Sequence, residues 1–200
     1  MKALKRRRIM SVVMSFLMAV SMIPMDFTGI VANAATTEGV KTTWDAADIL
    51  AATTQDSGLT ICGDGWSKNT ASDTKEFEDG TTAVGDNAKA GSAKAKTDGV
   101  NATGTIPTEG CYIKYTAPAD GKLTIYTKIG KGKTFYIVPS DGTAATAKTN
   151  DTDASTYDMV TADVTAGVTY YAYLSGATAQ VWKVAFAQTK QATEGAWDAS

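Results

Sequence analysis

The chain has 200 residues, 44% hydrophobic and 20% charged, with a formal net charge of −2, no histidine and two cysteines. Without histidine there is no Ser-His-Asp or Cys-His catalysis, no imidazole proton shuttle and no His-ligated zinc. Its arginines are Arg6, Arg7 and Arg8, and after residue 34 the charge comes from 14 Lys against 20 Asp and Glu, a balance of −6 that makes nucleic acid an unsuitable partner.

The N-terminus opens on a basic head, Lys2, Lys5 and Arg6 to Arg8, followed by an uncharged apolar run over residues 9–23. Pro24 ends the run, and Ala32-Asn33-Ala34 sets small residues at the two positions a signal peptidase reads. This is the layout of a cleavable signal peptide over residues 1–34, with cleavage after Ala34. The apolar run is shorter than the roughly 20 residues a spanning helix needs, so no stable membrane span is expected after cleavage. The protein is expected to be secreted or held at the cell surface. Residues 35–190 then suffice for one domain with a substantial core.

Beyond the signal the predicted elements are short. Residues 43–50 read as a turn or an opening strand, and residues 59–62 as a strand. Residues 67–104 are rich in Lys, Asp, Thr, Ala and Gly, with Phe77 and Val84 the only large apolar side chains before Val100; little there can be buried, which predicts a mobile loop. Residues 112–116 form the next strand. Pro118-Ala119-Asp120-Gly121 is a turn in which Pro presets φ and Gly accepts a positive one, leading into an alternating strand at 122–127. Further strands are predicted at 135–138, 158–164, 168–174 and 180–186, with Pro139-Ser140-Asp141-Gly142 as a second turn. Strands at this spacing predict an all-β, jelly-roll-like antiparallel β-sandwich. Thr193-Glu194-Gly195 and Trp197-Asp198-Ala199 echo Thr37-Glu38-Gly39 and Trp44-Asp45-Ala46, so residues 191–200 read as a linker or the start of a further module, catalytic or repeated.

Alternation separates inside from outside. Leu123 and Ile125 point inward, and Thr124 and Tyr126 outward. Val168, Tyr170, Ala172 and Leu174 share one face; Thr169, Tyr171 and Tyr173 share the other. Trp182, Val184 and Phe186 face together into the core. Cys111 shares a face with Ile113 and Tyr115, whereas Cys62 lies opposite Leu59 and Ile61; this parity argues against a disulfide, although export would permit one.

The acidic clusters Asp45/Asp48, Glu76/Glu78/Asp79 and Asp151/Asp153/Asp158 read as solvated faces, because a glycosidase needs two carboxylates held about 5–10 Å apart across a cleft. No catalytic cofactor is expected. Asp151-Thr152-Asp153 resembles the opening of a calcium loop without the Gly and distal Glu of an EF-hand, leaving a structural Ca²⁺ in that turn as an alternative to a solvated pair. Asn101-Ala102-Thr103 and Asn150-Asp151-Thr152 match glycosylation sequons, which act only in a eukaryotic host. The aromatic residues Trp66, Tyr126, Tyr136, Tyr171 and Tyr173 fall at loop or outward positions. A sugar ring can lay its C–H face on such rings, and a row Tyr171/Tyr173 beside Tyr126 is the candidate platform. The alternative is that tyrosine simply suits a strand covered on both faces.

The succession of residues 118–127 (PADGKLTIYT), 164–176 (VTAGVTYYAYLSG) and 179–186 (AQVWKVAF), with the opening Trp44-Asp45, resembles the β-sandwich accessory modules of exported bacterial polysaccharide-degrading proteins, those of pectate lyases above all. The resemblance implies a non-catalytic module that binds extracellular polysaccharide, pectin-type included, within a larger modular protein. Two other readings stand beside it: a structural spacer or surface-display module without ligand, its tyrosines buried under loops, and the N-terminal part of a polysaccharide lyase whose catalytic domain lies elsewhere.

Overall fold

A computed structural model describes residues 42–52, 58–72 and 74–189. The predicted signal peptide and the Trp197-Asp198 echo lie outside the described residues. No described helix is long and apolar enough to cross a membrane.

The described chain opens with strand β1 (Thr43–Asp45) and helix α1 (Ala46–Ala51), so the 43–50 segment is both a strand and a turn of helix. Asp45 explains the switch. Its carboxylate accepts from the backbone N–H of Ala47 and Asp48, at 2.9 Å each, while the Asp48 side chain accepts from the Asp45 N–H at 3.3 Å. This capping box satisfies orphan amides of the first turn. Ile49 points from the helix into the core and is fully buried.

Twelve further strands follow: β2 (Leu59–Cys62), β3 (Ser67–Ala71), β4 (Gly85–Lys89), β5 (Lys96–Thr97), β6 (Val100–Asn101), β7 (Tyr112–Thr116), β8 (Gly121–Ile129), β9 (Thr134–Pro139), β10 (Thr146–Thr149), β11 (Thr156–Val164), β12 (Thr169–Leu174) and β13 (Gln180–Gln188). They form two antiparallel sheets. One has the order β11-β8-β13-β4-β3, with β1 also paired to β13; the other has the order β10-β9-β12-β7-β2. From β7 to β13 the chain passes repeatedly from one sheet to the other, the jelly-roll-like sandwich expected from the sequence. Strands β5 and β6 make a separate hairpin.

The core fills the space between the sheets. Leu59, Ile113 and Tyr115 come from one side, and Leu123, Ile125, Val184 and Phe186 from the other, all at most 3% exposed. Each such large apolar side chain contributes about 1.5–3 kcal/mol on burial. Trp44 meets Tyr115 edge-on, ring centroids 5.7 Å apart. Gly121 is needed here for a reason other than its predicted positive φ. A Cβ at that position would stand 2.4 Å from the Ala187 carbonyl oxygen and 2.6 Å from the Phe186 ring, so its lack of a side chain lets β8 close on β13. Gly142 does adopt the positive φ expected of its turn, at 82°.

Two expectations are corrected. Residues 67–104 are not a featureless loop: they contribute β3 and β4 to a sheet and fold the β5–β6 hairpin. Small residues do what large ones were sought for, since Ala88, Ala90, Ala95 and Ala102 are all buried where backbones approach closely. Trp182 leaves the main core. A bulge between Val181 and Lys183 breaks the alternation, turning Trp182 to the outer side of its sheet. There it packs with Phe77, Ala83 and Tyr126 in a second cluster.

Candidate binding face

The five predicted aromatic residues do not form one platform. Tyr126 stands on the outer side of the β8 sheet, whereas Tyr136, Tyr171 and Tyr173 stand on the outer side of the β12 sheet; the sandwich separates them. Tyr126 is also covered. Phe77 lies edge-on to its ring at 5.2 Å, the Lys183 ammonium sits 3.8 Å from the ring centroid, and its hydroxyl donates to Asp79 at 2.7 Å. Burial first, and then the Asp79 carboxylate, pushes its pKa up to about 12. The same hydrogen bond, with those from Thr81, holds Asp79 below its ordinary value. Trp66 is a half-buried loop residue whose indole N–H donates to the Cys62 carbonyl at 2.9 Å while the ring packs on the main core.

The β12 sheet does gather the other three. Register places Tyr173 opposite Tyr136, with ring centroids 5.7 Å apart. Tyr171 lies between Lys114 on β7 and Val138 on β9. Tyr173 is only 1% exposed because the segment after the β5–β6 hairpin covers it. Its hydroxyl donates to the Thr105 carbonyl at 2.8 Å and accepts from the Thr105 N–H at 3.2 Å. Ser175 donates to the Ala102 carbonyl at 2.7 Å, fastening the same cover. Tyr136 and Tyr171 stay half-buried at its rim.

Beyond that rim the face is open. Thr60 on β2 is opposite Lys114, and the Thr116 and Thr169 hydroxyls lie 3.0 Å apart. Gly58, Thr60, Lys114 and Thr116 line a shallow concavity of about 390 Å³. Lys114 is exposed and has no ion-pair partner among the described residues. Tyr112, from the same strand, packs against Tyr171 with centroids 6.0 Å apart, and burial followed by the neighbouring Cys62 raises its pKa to about 12. The open part therefore combines a phenol ring, an ammonium and several hydroxyls. Sequence reasoning passed over Tyr112, Lys114, Thr60 and Thr116. The signal was present, since the face shared by Cys111, Ile113 and Tyr115 leaves Tyr112 and Lys114 together on the other.

The other candidate chemistries are dispersed. Both cysteines are free; Cys111 is buried, donates to the Asp64 carbonyl at 3.3 Å and has its pKa raised by burial, while Cys62 lies on the outer face opposite Tyr112. Among the described residues no three His, Cys, Asp or Glu side chains converge to hold a metal. In the Asp151-Thr152-Asp153 turn, Asp153 pairs with Lys131 at 2.8 Å and the turn is organised by Asn150. The Asn150 amide donates to the Ile129 and Ala154 carbonyls and accepts from the Thr152 N–H and hydroxyl. Asn150 is 3% exposed, which closes that sequon to modification in the folded chain, whereas Asn101 is exposed.

No family model and no curated protein matches the chain. The solved structures it is similar to include three whose own length it covers almost entirely. One, from work entitled as reflecting an expansion in glycan recognition by the Ruminococcus flavefaciens cellulosome, is 18% identical, with 76% of this chain and 99% of that one covered and a TM-score of 0.40. Another is the C-terminal CBM6 of LamC from Zobellia galactanivorans, 16% identical, with 72% and 97% covered and a TM-score of 0.36. The third is a family 35 carbohydrate binding module from Clostridium thermocellum, 11% identical, with 74% and 97% covered and a TM-score of 0.36. Likeness at this level assigns neither ligand nor site, and the fold rests on its own sheet topology.

Proposed function

We propose that the chain is a secreted or cell-surface, non-catalytic module that binds polysaccharide on the open part of the β12 sheet. The observation that carries this reading is Tyr171, half-buried beside an exposed Lys114 and the hydroxyls lining a shallow concavity. The phenol offers a flat apolar surface to a sugar ring, and threonine hydroxyls match sugar hydroxyls. The Lys114 ammonium adds a partner for the carboxylate of a uronic acid, which favours pectin-type chains over neutral ones. A single shallow site of this kind corresponds to a Kd of about 1 mM to 1 µM, or roughly −4 to −8 kcal/mol. Linkage to further modules in a longer protein would raise the effective affinity by avidity.

Affinity electrophoresis on a panel of acidic and neutral polysaccharides tests the reading. Retardation by a polyuronate, lost in Tyr171→Ala and weakened in Lys114→Ala, supports it. Unretarded migration in every glycan sinks it. A structural spacer without ligand is the second reading, and the burial of Tyr126 and Tyr173 under covering segments favours it; it predicts equal mobility of wild type and both variants.

A further inference from the structure

At one open edge of the sandwich the last strands of the two sheets, joined in the chain by the 150–155 turn, share no backbone ladder and meet through side chains. Strand β11 ends one sheet and β10 ends the other. Lys148 on β10 takes the register position opposite Phe135, and Asp158 on β11 that opposite Thr127, so both turn toward the space between the sheets. The Lys148 Nζ lies 3.0 Å from Asp158 Oδ1 and 2.6 Å from Glu78 Oε1. The Thr156 hydroxyl donates to Asp158 Oδ2. The Asp158 side chain is 14% exposed and that of Glu78 67% exposed.

We propose that Lys148 and Asp158 condense to an intramolecular amide that staples β10 to β11, with Glu78 as the proton-transfer residue. The three parts of such a reaction are already assembled. Lys148 is the nucleophile. Asp158, the more shielded carboxyl, is the electrophile. Glu78, in contact with the amine and open to solvent, is the base. From the neutral amine and the carboxylic acid, Nζ attacks Cγ and forms the N–C bond, while the Thr156 hydroxyl holds Oδ2 as charge builds on it. Glu78 takes a proton from the amine and passes it to Oδ1. The Cγ–Oδ1 bond then breaks and one water leaves, with no oxidant, reductant or cofactor consumed.

Burial pulls the Lys148 pKa down, but the hydrogen bonds from Glu78 and Asp158 outweigh it and raise it overall. The amine is therefore charged most of the time, and the condensation is a slow maturation that waits on the Lys148 ammonium passing a proton to Asp158 across their 3.0 Å contact, which gives the neutral amine and carboxylic acid. Fixed proximity drives it, since well-oriented intramolecular groups reach effective molarities of about 10⁵–10⁸ M. The product links two edge strands that share no backbone ladder.

Mass spectrometry of the purified full chain, held folded at working temperature and then cleaved at Asp151 and Asp153, tests the staple. The peptides carrying Lys148 and Asp158 should remain joined, with their combined mass short by one water. Lys148→Arg should abolish the junction, and Glu78→Gln, which leaves both partners in place, should slow its appearance by tenfold or more. Separate peptides of full mass from folded wild-type protein would overturn the proposal. So would an equal water loss in Lys148→Arg, which would place the loss elsewhere in the chain.

Discussion

Tyr115 and Asn150 show how differently two buried polar groups behave. The Tyr115 ring is fully packed and its hydroxyl has no hydrogen-bond partner among the described residues; burial accordingly raises its pKa. Tyr115→Phe removes an unsatisfied group while keeping the ring, so it should leave stability unchanged or raise it by about 1 kcal/mol, read from urea midpoints at constant m-value. Asn150 is the opposite case, with both ends of its amide in use. Asn150→Ala strands two carbonyls and frees the 151–154 turn, and should cost about 3 kcal/mol in the same measurement. Asp79 titrates at the surface. Its folded pKa lies below 3.8, chiefly through the Tyr126 hydroxyl, so its contribution is present above that value and lost as pH falls through the lower folded one. Asp79→Asn should flatten the acid limb of the stability profile below about pH 4 by lowering stability at neutral pH, and leave the acid end, where Asp79 is already protonated, nearly unchanged.

At the scale of elements, the strap over residues 75–83 is held by one apolar plug and two polar fasteners. Phe77 sits among Tyr126, Tyr157 and Trp182, with ring centroids 5.2 to 6.1 Å away. Glu78 reaches Lys148 and Asp79 reaches Tyr126. Phe77→Ala should open this strap locally, and local opening limits the global cost to less than the 3–5 kcal/mol typical of a core Phe→Ala change. Hydrogen exchange should speed up at the amides of Phe77, Gly80 and Ala83, which close the strap's own hydrogen bonds, and stay unchanged in β7 and β12. The raised pKa of Lys148 means that its ion pairs stabilise below about pH 10.5 and weaken as pH rises through the folded value. Once the Lys148–Asp158 amide has formed, that alkaline loss disappears.

For the whole molecule, the sandwich was legible because β7, β8, β9, β11, β12 and β13 carry alternating apolar residues between turns with Pro, Asp and Gly. Strands β3 and β4 were hidden because their buried positions are Asn87 and Ala88, residues that carry no strand signal. Trp182 was placed wrongly because one inserted residue reverses parity, and alternation cannot foresee a bulge. The shared face of Tyr136, Tyr171 and Tyr173 follows from alternation plus strand order, and alternation alone was on the page. What covers Tyr173 and Tyr126 was illegible, since Thr105, Asp79 and Phe77 lie far away in sequence.

The binding claim for the open face is tested most directly by an NMR titration of the labelled protein with a short oligogalacturonide. The account predicts saturable shifts at Thr60, Lys114, Thr116 and Tyr171, abolished in Tyr171→Ala, with the amides around Tyr126 and Trp182 unmoved. A titration that leaves the β2, β7 and β12 outer positions unshifted, or that moves only the opposite sheet, would contradict it.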